Sequence, residues 1–191
     1  MDKILTDLRI TITVGLLLAV GLMFAPYYQP PLGWLNGAFQ GLHVFFGITW
    51  IGLLYYFNFV QIPTMPSIPA ELKPGVSKYI APKALFYFRW AAAMTMLIGL
   101  LLAWTNGYLV EALTFQPGFQ LIGTGMWLGL IMGFNVWGVI WPNQKKALGL
   151  VEADDATKAK AARVAMLASR TNTLLSIPML YAMASFQSLP R

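Results

Sequence analysis

Cysteine is absent from this sequence of 191 residues, and histidine occurs once, at His43. The absence of cysteine excludes iron–sulfur clusters, covalently attached c-type haem and thiol catalysis within these residues. A single histidine also excludes a zinc or copper site built from several histidines. Charged residues are scarce as well, at 10% of the chain, whereas a soluble domain carries about 25%. This composition excludes an ordinary cytosolic globular protein, a disordered chain, a coiled coil and a small disulfide scaffold.

Apolar residues dominate what remains: 58% of the chain is hydrophobic and the mean hydropathy is +0.62. A helix needs about 20 apolar residues to cross a hydrocarbon core about 30 Å thick. The sequence therefore predicts an all-α fold, a polytopic membrane helix bundle in which residues 1–191 form a single integral membrane domain. Five transmembrane helices are expected, at about residues 5–25, 33–62, 83–104, 120–141 and 162–186.

The distribution of positive charge predicts the orientation of these helices. Ten of the thirteen Lys and Arg residues lie at the N-terminal end, between spans two and three, or between spans four and five, whereas residues 26–32 and 105–119 carry none. Positively charged loops stay in the cytoplasm. We therefore expect a multi-pass protein of the bacterial inner membrane with a cytoplasmic N-terminus and a periplasmic C-terminus. The net charge of +6 then reflects these loops and the lipid bilayer they face, and no nucleic-acid partner is expected.

Polar residues inside the second span follow helical spacing. Steps of three and four residues place Asn36, Gln40, His43, Trp50, Asn58 and Gln61 on one face of the helix. Phe45 and Phe57 fall largely elsewhere and suit lipid. Because polar groups are costly in hydrocarbon, the polar stripe is expected to face the bundle interior.

Two arginines lie inside predicted spans without an acidic partner, since spans two to five contain no Asp or Glu. Arg89 lies close enough to Lys83 to reach the headgroups, so it is either a pocket residue or a lipid anchor. Arg170 lies deeper and is expected to face inward. Together with Asn58, Gln61, Asn135 and Asn172, the two arginines predict a positively charged polar pocket that opens toward the cytoplasm and binds an anion.

Span four combines close packing with a polar face. Gly125, Gly129 and Gly133 recur every four residues, which lets another helix backbone approach closely. Asn135 lies about 200° from Gly133 around the helix. We expect the glycine face to pack and the opposite face to present its amide.

The solitary His43 has three interpretations. It is a neutral imidazole bonded to a neighbouring helix, an axial ligand of b-type haem with Trp50 stacked on the macrocycle, or a proton relay. A second haem ligand is available among the methionines of the other spans: Met94, Met96, Met166, Met179 and Met183. The spacing of the residues does not choose among these three roles.

Four segments, taken in order, resemble the membrane domain of the bacterial cytochrome c-coupled urate hydroxylases, the urate oxidase N-terminal family. They are HVFFGITWIGLLYYFNFVQIP at 43–63, FRWAA at 88–92, NVWGVIWPNQK at 135–145 and SRTNT at 169–173. The shorter pattern His43, Trp50, Gly52 and Tyr55 also resembles, more loosely, the membrane protoporphyrinogen oxidase family of haem-binding helical proteins.

The resemblance implies a membrane oxidoreductase that oxidises urate, a planar monoanion, to 5-hydroxyisourate. Arg89 and Arg170 would then bind the charge, and the four amide side chains would bind the ring edges. His43, with Trp50 beside it, would bind haem b if that cofactor is present. The family passes electrons to a fused cytochrome c, but these 191 residues contain no Cys-x-x-Cys-His motif, so the acceptor is expected to be a separate periplasmic or membrane cytochrome c.

Two other functions are open on the sequence alone. One is a non-catalytic haem-binding or accessory subunit of a respiratory or photosynthetic electron-transfer complex, working in a homo- or hetero-oligomer. The other is a small carrier for an organic anion. The catalytic residues themselves are not identifiable from the pattern.

Overall fold

Residues 2–23 and 31–188 are described by a computed structural model, and they form helices and turns without a strand. This confirms the predicted all-α class. Ten α-helices are present in these ranges: α1 Asp2–Thr6, α2 Leu8–Met23, α3 Pro31–Tyr55, α4 Ile62–Thr64, α5 Lys73–Gly75, α6 Ala81–Thr105, α7 Leu109–Leu113, α8 Gln120–Asn135, α9 Trp141–Ala147 and α10 Asp155–Ser185.

Three continuous helical stretches are long and apolar enough to cross a membrane. They cover Gly33–Ser67, Lys73–Thr105 and Gln120–Ala147 and correspond to the predicted spans two, three and four. The protein therefore has the helices of a membrane protein. All three stretches extend past the bounds that the sequence predicted.

The first and fifth predicted spans correspond to α2 and α10, and their crossing of the membrane stays a prediction. Helix α2 is described as far as Met23, so residues 24 and 25 of the first span lie outside the described residues. Helix α10 begins at Asp155, seven residues before the predicted start. Its first half carries lysines and arginines, which lower its mean hydropathy.

Wide π-helical turns explain why the long helices continue beyond the predicted breaks. They lie at Tyr56–Gln61, Val76–Ile80 and Val136–Ile140. Each is followed by one residue and then a proline, namely Pro63, Pro82 or Pro142. A proline ring collides with the carbonyl group four residues earlier, which here lies inside the wide turn. We infer that the wider turn makes room for the ring, so the prolines are accommodated rather than ending the helix.

The π-helical turn at Tyr56–Gln61 also corrects the placement of one aromatic residue. Phe57 was expected to face lipid, but it is 6% exposed and its ring meets Phe88 edge-on, with 5.7 Å between centroids. The altered helical register after Tyr55 turns Phe57 toward α6. Phe45, by contrast, is exposed as expected.

The core lies where α3, α6, α8 and α10 meet. Helix α3 packs along α6, and α10 packs along α8 and α9. Trp50, Leu54, Phe88 and Met132 are among the fully buried side chains. The polar stripe of α3 faces this interior, as predicted, since none of its members is exposed.

The three regularly spaced glycines of α8, Gly125, Gly129 and Gly133, lie in three different surroundings. A Cβ atom on Gly125 would lie 3.1 Å from the Cβ of Ala182 on α10, and one on Gly133 would meet the sulfur of Met96 on α6. At Gly129 the space within 4 Å is open. Two glycines thus allow close helix packing, and the third leaves room for a cavity.

Helix α10 begins with a side-chain cap that is expected to depend on pH. Asp154 Oδ1 accepts a hydrogen bond of 2.7 Å from the Thr157 backbone N–H. This bond, and a second from the Thr157 hydroxyl, lower the pKa of the Asp154 carboxyl from its ordinary value. A lowered pKa means that the cap stabilises the helix above the ordinary pKa of aspartate and that this contribution is lost as the pH falls through the lowered pKa.

We therefore expect the first turn of α10 to fray in acid. The measurement is hydrogen-exchange protection of the amides of residues 156–159 as a function of pH, corrected for intrinsic exchange. An Asp154→Asn variant keeps a cap without a charge and should lose the pH dependence, whereas Asp154→Ala should be frayed at every pH. Identical pH profiles for the wild type and Asp154→Asn would contradict this assignment.

Candidate functional site

Two cavities among the described residues lie at different points along the helix that runs from α3 into the π-helical turn at Tyr56–Gln61. The smaller one, here called the amide cavity, has a volume of about 170 Å³ and is lined by Gln61, Gln144 and Ser169 among others. The larger one, the histidine cavity, has a volume of about 330 Å³ and is lined by His43, Trp50 and Thr95 among others. The sequence predicted a single pocket with a histidine above it, whereas the structure separates the two sites.

The amide cavity lies between the π-helical turn at Tyr56–Gln61, α6, α9 and α10. Gln61 ends the turn at Tyr56–Gln61, and Gln144 lies on α9, just after the turn at Val136–Ile140. Phe57, Leu85 and Phe88 form apolar walls. The side-chain oxygens of both glutamines are buried and have no hydrogen-bond partner among the described residues. Such unpaired acceptors are costly unless a donor reaches them.

Arg89 is not itself among the described residues that line this cavity, but it follows the lining residue Phe88 on α6, and it is 9% exposed. The guanidinium carbon is 3.4 Å from the centroid of the Trp141 ring, a close cation–π contact. The Nε atom and one terminal nitrogen have no hydrogen-bond partner in the described part of the chain. This burial excludes a lipid anchor, which was one of the two predicted roles. Arg89 is instead an interior cation with free donors.

The three asparagines predicted as site residues, Asn58, Asn135 and Asn172, mainly connect one helix to another. Asn135 Nδ2 donates to Asn172 Oδ1 at 2.8 Å and to the Ala168 carbonyl at 3.0 Å, and Asn172 Nδ2 donates to the Met132 carbonyl at 3.0 Å. These bonds join α8 to α10. They occupy the donors of both amides, so Asn135 and Asn172 act first as structural links.

Asn58 joins α3 to α10 and keeps one acceptor free. Its Nδ2 donates to the Leu54 carbonyl at 2.9 Å and to the Ser169 hydroxyl at 2.8 Å. Its Oδ1 is buried and has no partner among residues 2–23 and 31–188. Asn58 is therefore the asparagine that stays available to a donor.

Arg170 does not join Arg89. It is exposed on α10, while Ser169, Asn172 and Ser176 on the same helix are buried. A residue two positions from Asn172 points about 200° away around the helix, so the inward position of Asn172 directs Arg170 outward. The expected convergence of two guanidinium groups in one pocket is absent.

The side chain of His43, on α3, reaches α6 at the histidine cavity. Its Nδ1 donates to the Thr95 carbonyl oxygen at 3.0 Å, because a carbonyl only accepts. The ring lies against Gly99, where a Cβ atom would approach the ring's Cε1 to 2.7 Å. The neutral ring therefore keeps the Nε2 lone pair free. Trp50, 1% exposed, lines the same cavity, and its Nε1 has no hydrogen-bond partner in the described chain.

Methionines complete the wall of the histidine cavity. Met96, Met179 and Met183 line it as candidate ligands, and Met126 lines it as well, which the sequence did not single out. Met94 is not among the lining residues, and Met166 lines the amide cavity.

For haem b, His43 and these thioethers supply axial donors, but among the described residues no Lys or Arg lines the cavity to balance two propionates. The fit is therefore incomplete, and haem stays a prediction.

Two residues that line the amide cavity, Gln144 and Ser169, were not predicted as site residues, and neither was Trp141, which contacts Arg89. Their signal was present, since Trp141 and Gln144 lie in the NVWGVIWPNQK segment and Ser169 begins the SRTNT segment. Pro142 and the polar residues after it suggested that the helix ends there. Only the continuation of the helix through α9 shows that Gln144 lies in the interior.

Residues 109–187 match the model of the urate oxidase N-terminal family. The predicted resemblance to this family is confirmed over these residues, which run from α7 to the turn after α10. The match includes the α9 and α10 side of the amide cavity. Arg89 and the histidine cavity's His43 lie outside it, and the similarity to the membrane protoporphyrinogen oxidase stays a prediction. No curated protein and no solved structure matches the chain.

Proposed function

We propose that this protein is a membrane oxidoreductase that binds urate or a similar planar anion at the amide cavity, oxidises it and passes electrons to a separate cytochrome c. The observation that carries the proposal is Arg89, a buried cation with unpaired donors and no carboxylate partner. The ion pair found among the described residues is Lys158–Asp155, on the surface of α10. An anionic ligand would neutralise Arg89 and satisfy its donors.

The polar atoms around the amide cavity complement the edges of a purine-like ring. Arg89 offers N–H donors suited to carbonyl or anionic ring oxygens. Gln61, Gln144 and Asn58 offer unpaired amide oxygens suited to ring N–H groups. Phe57 and Phe88 supply flat apolar surfaces. Urate carries ring N–H groups, carbonyl oxygens and one negative charge, so it uses both kinds of partner.

The proposed setting is the bacterial inner membrane with five crossing helices. Lys73, Lys78, Lys145 and Lys146 flank the end of the bundle that holds the amide cavity. The positive-inside rule assigns that end to the cytoplasm. The histidine cavity then lies toward the periplasm, the side on which a cytochrome c would accept electrons.

In the proposed reaction, water adds to the ring while two electrons and two protons leave, which gives 5-hydroxyisourate. Arg89 would hold the anion and stabilise charge on the ring oxygens, and the amides would fix the ring plane. His43 and Asn58 are separated by fifteen residues, about 22 Å of helix, so electrons leaving the amide cavity need a carrier to reach the far side.

The direct test uses the purified full chain in lipid nanodiscs with urate and oxidised cytochrome c. We expect urate-dependent reduction of the cytochrome, followed by absorbance at its reduced α-band, together with formation of 5-hydroxyisourate. A denatured preparation and xanthine in place of urate serve as controls. No reduction and no product at any urate concentration, with a folded protein, would remove the enzyme assignment.

A second candidate function is a non-catalytic haem-binding or accessory subunit of an electron-transfer complex. The free Nε2 of His43 beside several methionines favours it. A Soret band in the purified protein that disappears in His43→Ala, without urate oxidation, is the outcome that selects this function.

A further inference from the structure

The histidine cavity is larger than the amide cavity and has a different lining. Among the described residues, none that lines either cavity is Asp, Glu, Lys or Arg, and Arg89 adjoins the amide cavity only as the chain neighbour of its lining residue Phe88. Ile51, Leu100, Ile122 and Met126 give it an apolar wall, and Gly47, Gly99 and Gly129 provide the space. An uncharged apolar cavity favours a neutral, lipophilic ligand over an ion.

Two groups in the wall are nevertheless ready for a polar partner. His43 Nε2 forms no hydrogen bond with the described residues, while Nδ1 is held by Thr95. The neutral imidazole therefore accepts a hydrogen bond at Nε2. Trp50 Nε1 is a donor without a partner in the same part of the chain. The wall thus presents an unpaired acceptor and an unpaired donor in largely apolar surroundings, which also include the polar side chains of Gln40, Thr95 and Tyr108.

We propose that the histidine cavity binds a membrane quinone in its oxidised and reduced forms. A quinol hydroxyl group donates to His43 Nε2, and a quinone carbonyl accepts from Trp50 Nε1 after a small adjustment of the indole. The ring and its lipid tail lie against the methionines and leucines. This ligand is neutral, which suits a lining without cations better than the two carboxylates of haem.

A quinone also balances the proposed oxidation, and this part rests on the proposed function. Urate and water yield 5-hydroxyisourate with release of two electrons and two protons. A quinone takes up two electrons and two protons as both carbonyl groups become hydroxyl groups. The sum is urate plus water plus quinone giving 5-hydroxyisourate plus quinol, so a quinone reduced at the histidine cavity is a second acceptor beside the separate cytochrome c of the proposed function.

The test measures binding of decylubiquinone, a short-tailed quinone, to the purified full chain in detergent without urate. We expect saturable binding, and we expect binding of the reduced form, decylubiquinol, measured without oxygen, to weaken at least tenfold in His43→Ala, because only the quinol has a hydroxyl hydrogen to donate to Nε2. Gly129→Leu should also block binding, because its new side chain enters open space in the cavity wall. Trp50→Phe should weaken binding, whereas Trp104→Phe, at a ring that is 67% exposed, serves as the matched control.

Each outcome bears on the site separately from the proposed function. Quinol binding that His43→Ala leaves unchanged, together with quinone binding that Gly129→Leu leaves unchanged, in folded variants, overturns the site. So does a purified protein that carries haem lost in His43→Ala. Quinone binding without urate oxidation keeps this site and removes the proposed function, whereas urate oxidation through cytochrome c without quinone binding does the reverse.

Discussion

Replacing Arg89 by Gln is expected to lower kcat/KM for urate by about 10- to 100-fold, mainly through a higher KM. Hydrogen bonds to charged groups contribute about 1.5–3 kcal/mol, and about 1.4 kcal/mol corresponds to a factor of ten. The guanidinium is buried on Trp141 and offers unpaired donors, so its loss removes the charge that holds the anion. Steady-state kinetics of urate-dependent cytochrome c reduction measure the effect.

Arg170→Gln is the matched control for this experiment. It removes the same side chain from an exposed position on α10, and we expect less than a twofold change in KM. Arg89→Lys keeps the charge without the planar donors and should give an intermediate result. Equal losses in Arg89→Gln and Arg170→Gln would show that the amide cavity is not the anion site. Retained folding of each variant is checked by circular dichroism.

The largest expected loss of stability comes from Gly123→Ala. A Cβ atom on Gly123 would collide with the backbone carbonyl oxygen of Ala112 and would lie 3.3 Å from the ring of Phe115. Backbone atoms of α7 cannot swing aside as a side chain does, so α7 must move away from α8. Overpacking of this kind costs about 1–3 kcal/mol. Thermal unfolding of the purified protein in detergent measures the change.

Two other glycines on the same helix calibrate that result. Gly129→Ala adds its methyl group to open space and should leave stability unchanged or slightly raised, because alanine favours helix. Gly133→Ala meets the end of the Met96 side chain, which can move, and should cost less than Gly123→Ala. A loss at Gly129 as large as the loss at Gly123 would contradict the packing described here.

The identity of the polar face of α3 was predictable because helical geometry and hydrophobicity act locally. Helical spacing predicted that Asn58 and Gln61 share a face with Trp50. Because polar side chains are costly in the hydrocarbon of the bilayer, that face was expected to turn away from lipid. The register after Tyr55 was not predictable, since the wide turn depends on Pro63 and on the neighbouring α6. Phe57 was misplaced for that reason.

The positions of Arg89 and Arg170 also depend on contacts that the sequence alone does not reveal. The sequence placed both inside spans without an acidic partner, and their depth favoured Arg170 rather than Arg89 as the residue that faces inward, which the structure reverses. Their difference arises from neighbours distant in the chain: Trp141 covers Arg89, whereas the bonds of Asn172 to Asn135 and Met132 fix the rotation of α10 and turn Arg170 outward.

The sequence by itself determined that the chain is a helical membrane-type bundle, because composition and the period of the polar residues suffice for that. The tertiary structure alone decided that the described residues form separate cavities, one lined by Gln61 and Gln144 with Arg89 following its lining residue Phe88, and one around His43. The reason is physical: an interior site depends on how helices rotate and pack against one another, and those rotations are set by contacts between residues that are far apart in sequence.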